Sequence, residues 1–396
     1  MILDIFKIQE IIRQKQIDGW LLFDFKGSNE LALEILNIPC SSLLTRGFYY
    51  YIPARGNAVK IVSAIEADNL AHLPGEELKY SSHESLKNHL RRILTKGHTV
   101  AMEYSPFGAI PYLSKVDAGT IEFIKAFGAD IICSGDLITL FNALWSKEQF
   151  EDNEPVAKAL VTIVKSAFKF IKDEINSGRA VNEYDVQCFI MNEFEKRGCI
   201  TDHPPIVGAN ENAANPHYTP SPSKYKSINL NDFVLIDLWA KSKRADAVWA
   251  DITWCGYVGK TIPEKYTVIF DIVKEARDTA LKLVTDSFNS GKKLLAYEVD
   301  DAARGVIVKA RYGEYFIHRT GHSITTELHG SGPHLDNFET RDERQIFPNT
   351  SFSIEPGIYL TGDFGVRLEI DVFIHPDGRV IYTGGEKQEE LIAILA

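Results

Sequence analysis

Four acidic side chains stand where acids are costly. Asp237 lies in "FVLIDLW", Asp251 in "VWADITW", Glu355 in "FSIEPG" and Glu369 in "VRLEID". Strand side chains alternate faces, and these runs are largely apolar on both, so the pattern predicts buried strands whose carboxylates point into an apolar layer. An isolated buried carboxylate costs many kcal/mol or takes up a proton. The fixed cation within the strands is Arg367, which alternation sets on the face of Glu369 and Asp371. One guanidinium does not balance four acids; two divalent ions would. Oxygen-rich ligands with an imidazole suit a hard or borderline ion such as manganese, cobalt or iron. Two such ions would make a water nucleophilic at neutral pH.

The imidazole has three candidates. "FIHRTGHSITTELHG", residues 317–331, holds His318, His322 and His329. On a helix their spacings of four and seven would share a face, but Gly321 and the run Ile324-Thr325-Thr326 favour a loop entering a strand. The helical zinc-protease signature is absent, and the residues alone leave open which histidine is a ligand. Acids facing solvent at strand edges, or paired with lysines, would account for any one of the four equally well. That account is poor for all four with a histidine cluster between the second and third.

A scaffold must bring these segments together, and 396 residues allow two or three domains. Residues 1 to about 142 alternate helical stripes with the strand-like runs "GWLLFDF", "GFYYYIP", "AVKIVSA", "TVAMEYS" and "ADIICSG", an α/β pattern. No Gly-rich phosphate loop follows any of them. "SKEQFEDNEP" then opens a long amphipathic helix carrying Leu160, Ile163, Val164, Ala167, Phe168 and Ile171, ended by Ser177-Gly178. The boundary is set at 1–145 and 146–396. The second half reads as a helix ending at Gly198, four strand-like stretches ("DFVLIDLWA", "AVWADITWCGYVG", "SFSIEPGIYL" and "GVRLEIDVFIHPDGRVIYTG"), and helices near 263–288 and 297–311. Pro376-Asp377-Gly378 reads as a tight turn. The expected class is α/β (α+β).

Composition narrows the partners. Hydrophobic content of 45% and charged content of 24% are ordinary for a soluble protein. A net charge of −11, with "KSKR" at 241–244 read as a solvated turn, argues against nucleic acid and anionic membrane. The N-terminal stripe Ile5, Ile8, Ile11 and Ile12 lacks the features of a signal peptide, and no apolar run is long enough to span a bilayer. Cys40, Cys133, Cys188, Cys199 and Cys255 are scattered without a C-x-x-C pair. They read as reduced thiols of a cytoplasmic protein.

In their order along the chain, "VLIDLWA", "WADIT", "RTGHSI", "FSIEPGIY" and "GVRLEID" resemble the five metal-ligand motifs of the pita-bread metallopeptidases, the relatives of methionine aminopeptidase, aminopeptidase P, prolidase and creatinase. "NAANPHYTP" resembles that family's substrate-side histidine motif. The first half, with "GWLLFDFKGSNELALEIL", is similar to the smaller domain of prolidase, aminopeptidase P and creatinase. Together the similarities cover nearly the whole chain. The resemblance implies a creatinase/prolidase-type N-terminal domain and a catalytic domain using two divalent ions, manganese first, with cobalt, iron or zinc also fitting. It implies that Asp237 holds one ion, that Asp251 and Glu369 bridge both, and that His322 and Glu355 complete the second. His217 and His329 would contact substrate, Glu355 would shuttle the proton, Arg367 would hold the carboxylate layer, and His318 would line the substrate region or serve structure. The expected substrate is a small peptide with proline second, and relatives with this N-terminal domain often pair as homodimers.

The chain departs from the family pattern in places. Asp237 and Asp251 are 14 residues apart, a few more than usual, and the excess is expected to loop out of a strand hairpin. Ser323 and Thr325 occupy positions that are usually small and glycine-rich, which could reshape the pocket wall, and "WADITWCG" lacks a basic residue often found after the Thr. The reading is a metal-dependent Xaa-Pro dipeptidase, with an Xaa-Pro aminopeptidase acting on longer peptides as the alternative. A metal-free creatinase-like amidinohydrolase or a non-catalytic binding protein would have lost the acidic ligands retained here.

Overall fold

The computed structural model describes residues 3–39 and 41–396, so the reading of Cys40 as a free thiol lies outside the described residues. Cys188, Cys199 and Cys255 are free thiols. The chain divides into two units, Met1–Asn142 and Ala143–Ala396.

In the first unit the apolar runs build one six-stranded sheet. Its strands are β1 (Gly19–Asp24), β2 (Phe48–Pro53), β3 (Val59–Ser63), β4 (Glu76–Tyr80), β5 (Thr99–Met102) and β6 (Asp130–Cys133), in the order β4-β3-β2-β1-β5-β6. The strand β4 has no counterpart in the sequence reading. It is a sheet edge with Leu78 alone fully buried, so its sequence, EELKY, lacks an apolar run. Alternation divides the rest cleanly. Trp20 and Leu22 pack with helices α1 (Ile5–Gln14), α2 (Glu30–Ile35) and α5 (Gly135–Asn142). Leu21 and Phe23 face α3 (His83–Ile93) and α4 (Ala118–Lys125). The buried carboxylate of Glu103 is satisfied by Trp20 Nε1 at 2.8 Å, Asn29 Nδ2 at 2.9 Å and Ser134 Oγ at 3.0 Å, which marks it as structural.

The second unit begins with α6 (Lys147–Asn176), started by a capping box between Ser146 and Gln149. A short ribbon of β7 (Val181–Asn182) and β9 (Ser227–Ile228) flanks α7 (Glu183–Lys196). One sheet contains β8 (Ile206–Ala209), β10 (Phe233–Ala240), β11 (Ala250–Tyr257) and β18 (Ile392–Ala393), in the order β18-β11-β10-β8. The other contains β12 (Ser323–Ile324), β13 (Ser351–Ile354), β16 (Ile370–Ile374) and β17 (Val380–Tyr382) in that order, beside a ribbon of β14 (Gly357–Leu360) and β15 (Phe364–Arg367). Val234, Ile236, Leu238, Ile252 and Trp254 share a core with α6 and α7. Leu235 and Cys255 instead join the core made by α8 (Glu264–Ser290), α9 (Ala296–Lys309) and the second sheet. Asp237, Asp251 and Thr253 alternate with the first set, so they face the second sheet.

The strand placement of two acids needs correction. Glu355 and Pro356 interrupt "SFSIEPGIYL", leaving β13 and β14 in different sheets, and proline has no N–H to continue a ladder. Leu368 and Glu369 likewise separate β15 from β16. Glu355 and Glu369 therefore sit at strand junctions, while Asp237 and Asp251 are within strands. No helix of the described residues is long and apolar enough to cross a membrane.

Candidate active site

The hairpin of β10 and β11 sets the first two acids. Asp237 pairs with Thr253 and Trp239 with Asp251, so both carboxylates leave the same face two residues out of register. Both are buried. The Asp251 N–H donates to Asp371 Oδ2 at 2.6 Å, drawing a further acid into the layer. Thr253 Oγ1 donates to Glu369 Oε2 at 2.7 Å and accepts from Arg367 Nε at 3.1 Å. Arg367 pairs with Asp237 and donates to the Tyr359 hydroxyl oxygen at 3.2 Å. Arg367 thus braces the layer from one end.

The histidines play unlike parts. The His322 N–H donates to Ser353 Oγ at 2.9 Å, and Ser353 N–H returns to the His322 carbonyl at 2.9 Å. Its Nδ1 lies 3.3 Å from the Ser323 carbonyl, which selects the tautomer with the Nε2 lone pair free to bind. Nε2 is 3.5 Å from Glu355 Oε1 and 3.9 Å from Asp251 Oδ2. In His318, Nδ1 donates to the Arg319 carbonyl at 2.6 Å and Nε2 accepts from the Tyr359 hydroxyl at 2.7 Å. Both His318 nitrogens are therefore taken by protein, leaving none for substrate. His329 is exposed, with its ring centroid 4.2 Å from that of His322. His217 is exposed on the loop before β9, within electrostatic reach of His329.

Two departures from the family pattern meet each other rather than the ligand cluster. The residues that lengthen the hairpin return as Lys241 and Trp249, whose side chains each donate to the Thr326 carbonyl at 2.9 Å. The Trp249 N–H donates to the Thr325 carbonyl at 3.2 Å. A Cβ on Gly330 would come within 2.6 Å of the Thr325 side chain, and one on Gly332 within 2.5 Å of Ser323 Oγ. The added bulk at 323 and 325 is thus taken up by glycines of the returning loop.

Electrostatics show what the layer lacks. Burial, then Glu369, Asp237 and Asp371, push the Asp251 carboxyl well above its ordinary range. Burial, then neighbouring acids, does the same to Glu369, and burial raises Asp237 and Asp371. Glu355 is raised by burial to about 7, with Arg367 and Arg319 opposing. Burial also holds His322 well below its ordinary value and His318 at about 3, while partial desolvation, then the Arg319 charge, lowers the outward-facing His329 to about 4. Asp237 Oδ1, Asp251 Oδ1 and Asp371 Oδ1 are buried with no hydrogen-bond partner, a costly condition for carboxylate oxygens. Asp251, His322 and Glu369 each offer a ligand atom, all within 4.8 Å of one another. Orphaned oxygens beside one neutral imidazole nitrogen fit a hard or borderline divalent cation.

The sequence reading missed the side chains that orient the others. Thr253 and Ser353 each stand two residues from an acid, so strand alternation was the available signal for both. Tyr359 and Arg319 carried none, because their roles arise across strands and loops distant in sequence.

Comparison with known proteins gives the family and the fold. The family model for metallopeptidase family M24 matches residues 156–376, more than half of the chain. The chain is 31% identical to the Xaa-Pro dipeptidase of Lactobacillus helveticus over 228 residues, covering 58% of this chain and 57% of that one. It is 30% identical to the Xaa-Pro dipeptidase of Pyrococcus furiosus over 256 residues, covering 64% and 66%. These matches span about three fifths of the relatives' own lengths. The prolidase structure from Thermococcus sibiricus superposes with a TM-score of 0.60 at 24% identity, covering 98% of this chain and 97% of that one. The dipeptidase PepE structure from Mycobacterium ulcerans gives 0.68 at 18% identity, covering 98% and 96%. At these identities the structures speak for a shared fold.

Proposed function

Because the chain belongs to metallopeptidase family M24, we propose that it is a metal-dependent Xaa-Pro dipeptidase, hydrolysing small peptides with proline in the second position. The observation that carries the reading is the buried acid layer, in which one oxygen each of Asp237, Asp251 and Asp371 lacks a partner beside one neutral imidazole. The Xaa-Pro dipeptidases among its relatives support the substrate class.

Asp237, Asp251, His322, Glu355 and Glu369 would hold two divalent ions, with manganese favoured by the oxygen-rich donor set. When bound, the ions would supply a nucleophilic water at neutral pH and polarise the scissile carbonyl. The residues do the rest. Arg367 fixes Asp237 through their ion pair and keeps the layer aligned. Glu355 takes the proton released as water adds to the carbonyl carbon and returns it to the proline nitrogen as the C–N bond breaks. His329 and His217 donate hydrogen bonds to the oxyanion and the proline side of the substrate. His318, with both nitrogens engaged, holds Tyr359 against Arg367. In this reading the chain is cytoplasmic, on its scattered cysteines, and a homodimer, on the resemblance of its first unit.

The test is a paired assay on protein stripped with chelator and reloaded with manganese, offering a Xaa-Pro dipeptide and a tripeptide beginning Xaa-Pro. Metal-dependent cleavage of the dipeptide alone is expected. Cleavage of the tripeptide would make it an aminopeptidase, and silence toward both would overturn the reading.

A further inference from the structure

His217 stands on a long irregular stretch. Between β8 and β9 the chain runs through a single 3-10 turn, Asn210–Asn212, and one isolated bridge, Ser221 to Lys224. Loops of this length are ordinarily mobile unless tied down, yet a residue that must meet substrate needs a fixed position. The tie is Glu183, the first residue of α7, which is 0% exposed.

The Glu183 carboxylate gathers donors from both ends and the middle of the stretch. Oε1 accepts from the Ala209 N–H at 2.7 Å and from Asn212 Nδ2 at 2.9 Å. Oε2 accepts from the Tyr218 hydroxyl at 2.6 Å and the Lys226 N–H at 2.6 Å, with Asn212 Nδ2 also at 3.1 Å. All of these donors are neutral, so hydrogen bonds and no ion pair occupy the carboxylate, at the N-terminus of α7. Tyr218, buried and bound here, is the neighbour of His217. Burial and then Glu183 raise the Tyr218 phenol, so it keeps its proton and donates. On the far side, a Cβ on Gly365 would collide with the Ala213 carbonyl, so the same stretch is also pressed against β15.

We propose that Glu183 is a positioning residue of the active site, its carboxylate holding Tyr218 and through it setting the His217 imidazole where substrate is met. Glu183 makes no contact with substrate; it acts through His217, and so rests on the reading of His217 given above. An amide in place of this buried carboxylate would offer two hydrogens to a site already full of donors.

The experiment is a double-mutant cycle on the manganese-loaded enzyme with a Xaa-Pro dipeptide, using Tyr218→Phe, Glu183→Gln, His217→Ala and their combinations. Tyr218→Phe removes one hydroxyl and keeps the ring beneath the Lys224 ammonium, 5.4 Å from its centroid, so it remains informative if Glu183→Gln fails to fold. Expected is a loss in kcat/KM of about tenfold or more with bound metal unchanged, and no further loss when His217 is already Ala. Limited proteolysis within residues 210–226 should quicken in Tyr218→Phe whether or not substrate is turned over. Wild-type kcat/KM in Tyr218→Phe, or losses that multiply in the His217→Ala background, would overturn the inference alone. Full activity in His217→Ala would overturn the reading of His217 and this inference together.

Discussion

Burial pushes Glu355, Asp251, Glu369 and Asp371 up, whereas it pushes His318, His322, His329 and His334 down. The two groups give the metal-free protein opposite pH slopes. A histidine whose folded pKa lies below its ordinary 6.5 makes stability rise with pH up to that value, after which both states are neutral and the slope ends. An acid whose folded pKa is raised stays protonated in the fold after the unfolded chain has ionised, so stability falls as pH climbs through the folded value. For Glu355 that interval runs from 4.5 to about 7, and for Asp251 and Glu369 it extends well above their ordinary values. Above pH 6.5 only the acid slope remains. Thermal melts of chelator-treated protein should therefore give a lower Tm at pH 8 than at pH 6.5, and added manganese should close the gap. Equal melting temperatures would mean that the layer carries no excess charge. The candidate acids were legible one by one because each is an acid in an apolar run. Their orienting partners were not, because a threonine or tyrosine beside an apolar run is unremarkable until a strand from elsewhere brings an acid to it.

Among the elements, long helices and apolar strands were legible, and breaks within the strands were not. "SFSIEPGIYL" and "GVRLEIDVFI" read as continuous strands because their apolar periodicity hides the change of sheet at Glu355-Pro356 and at Leu368-Glu369. At each break the acid keeps the face that alternation gives it, Glu355 that of Ser353 and Glu369 that of Arg367 and Asp371, while the backbone leaves one ladder for the next. The expectation that Ser323 and Thr325 reshape the pocket wall meets a different geometry, with their bulk set against Gly332 and Gly330. Gly330→Ala should accordingly destabilise the protein by about 1–3 kcal/mol through overpacking against Thr325. Thr325→Ala in the same chain should recover most of that loss, as read by thermal or urea unfolding. A Gly330→Ala variant as stable as wild type, or one that Thr325→Ala fails to rescue, would show that the returning loop relaxes instead.

For the molecule as a whole, the order of the motifs carried more than any one of them. Each fragment alone is a short apolar run with an acid or a histidine, but their order along the chain carried the resemblance to one metallopeptidase family. What order could not convey was support from outside the motifs, such as Glu183 beneath the His217 stretch. If this layer is a two-ion site, the number of manganese ions bound per chain reveals it. Chelator-stripped protein equilibrated with manganese and freed of excess should retain two ions per chain. Asp251→Asn, which keeps the volume but gives up a shared carboxylate, should remain folded and retain fewer. A folded wild-type protein that retains no manganese above background, or an Asp251→Asn variant that retains as much as wild type, would contradict the account.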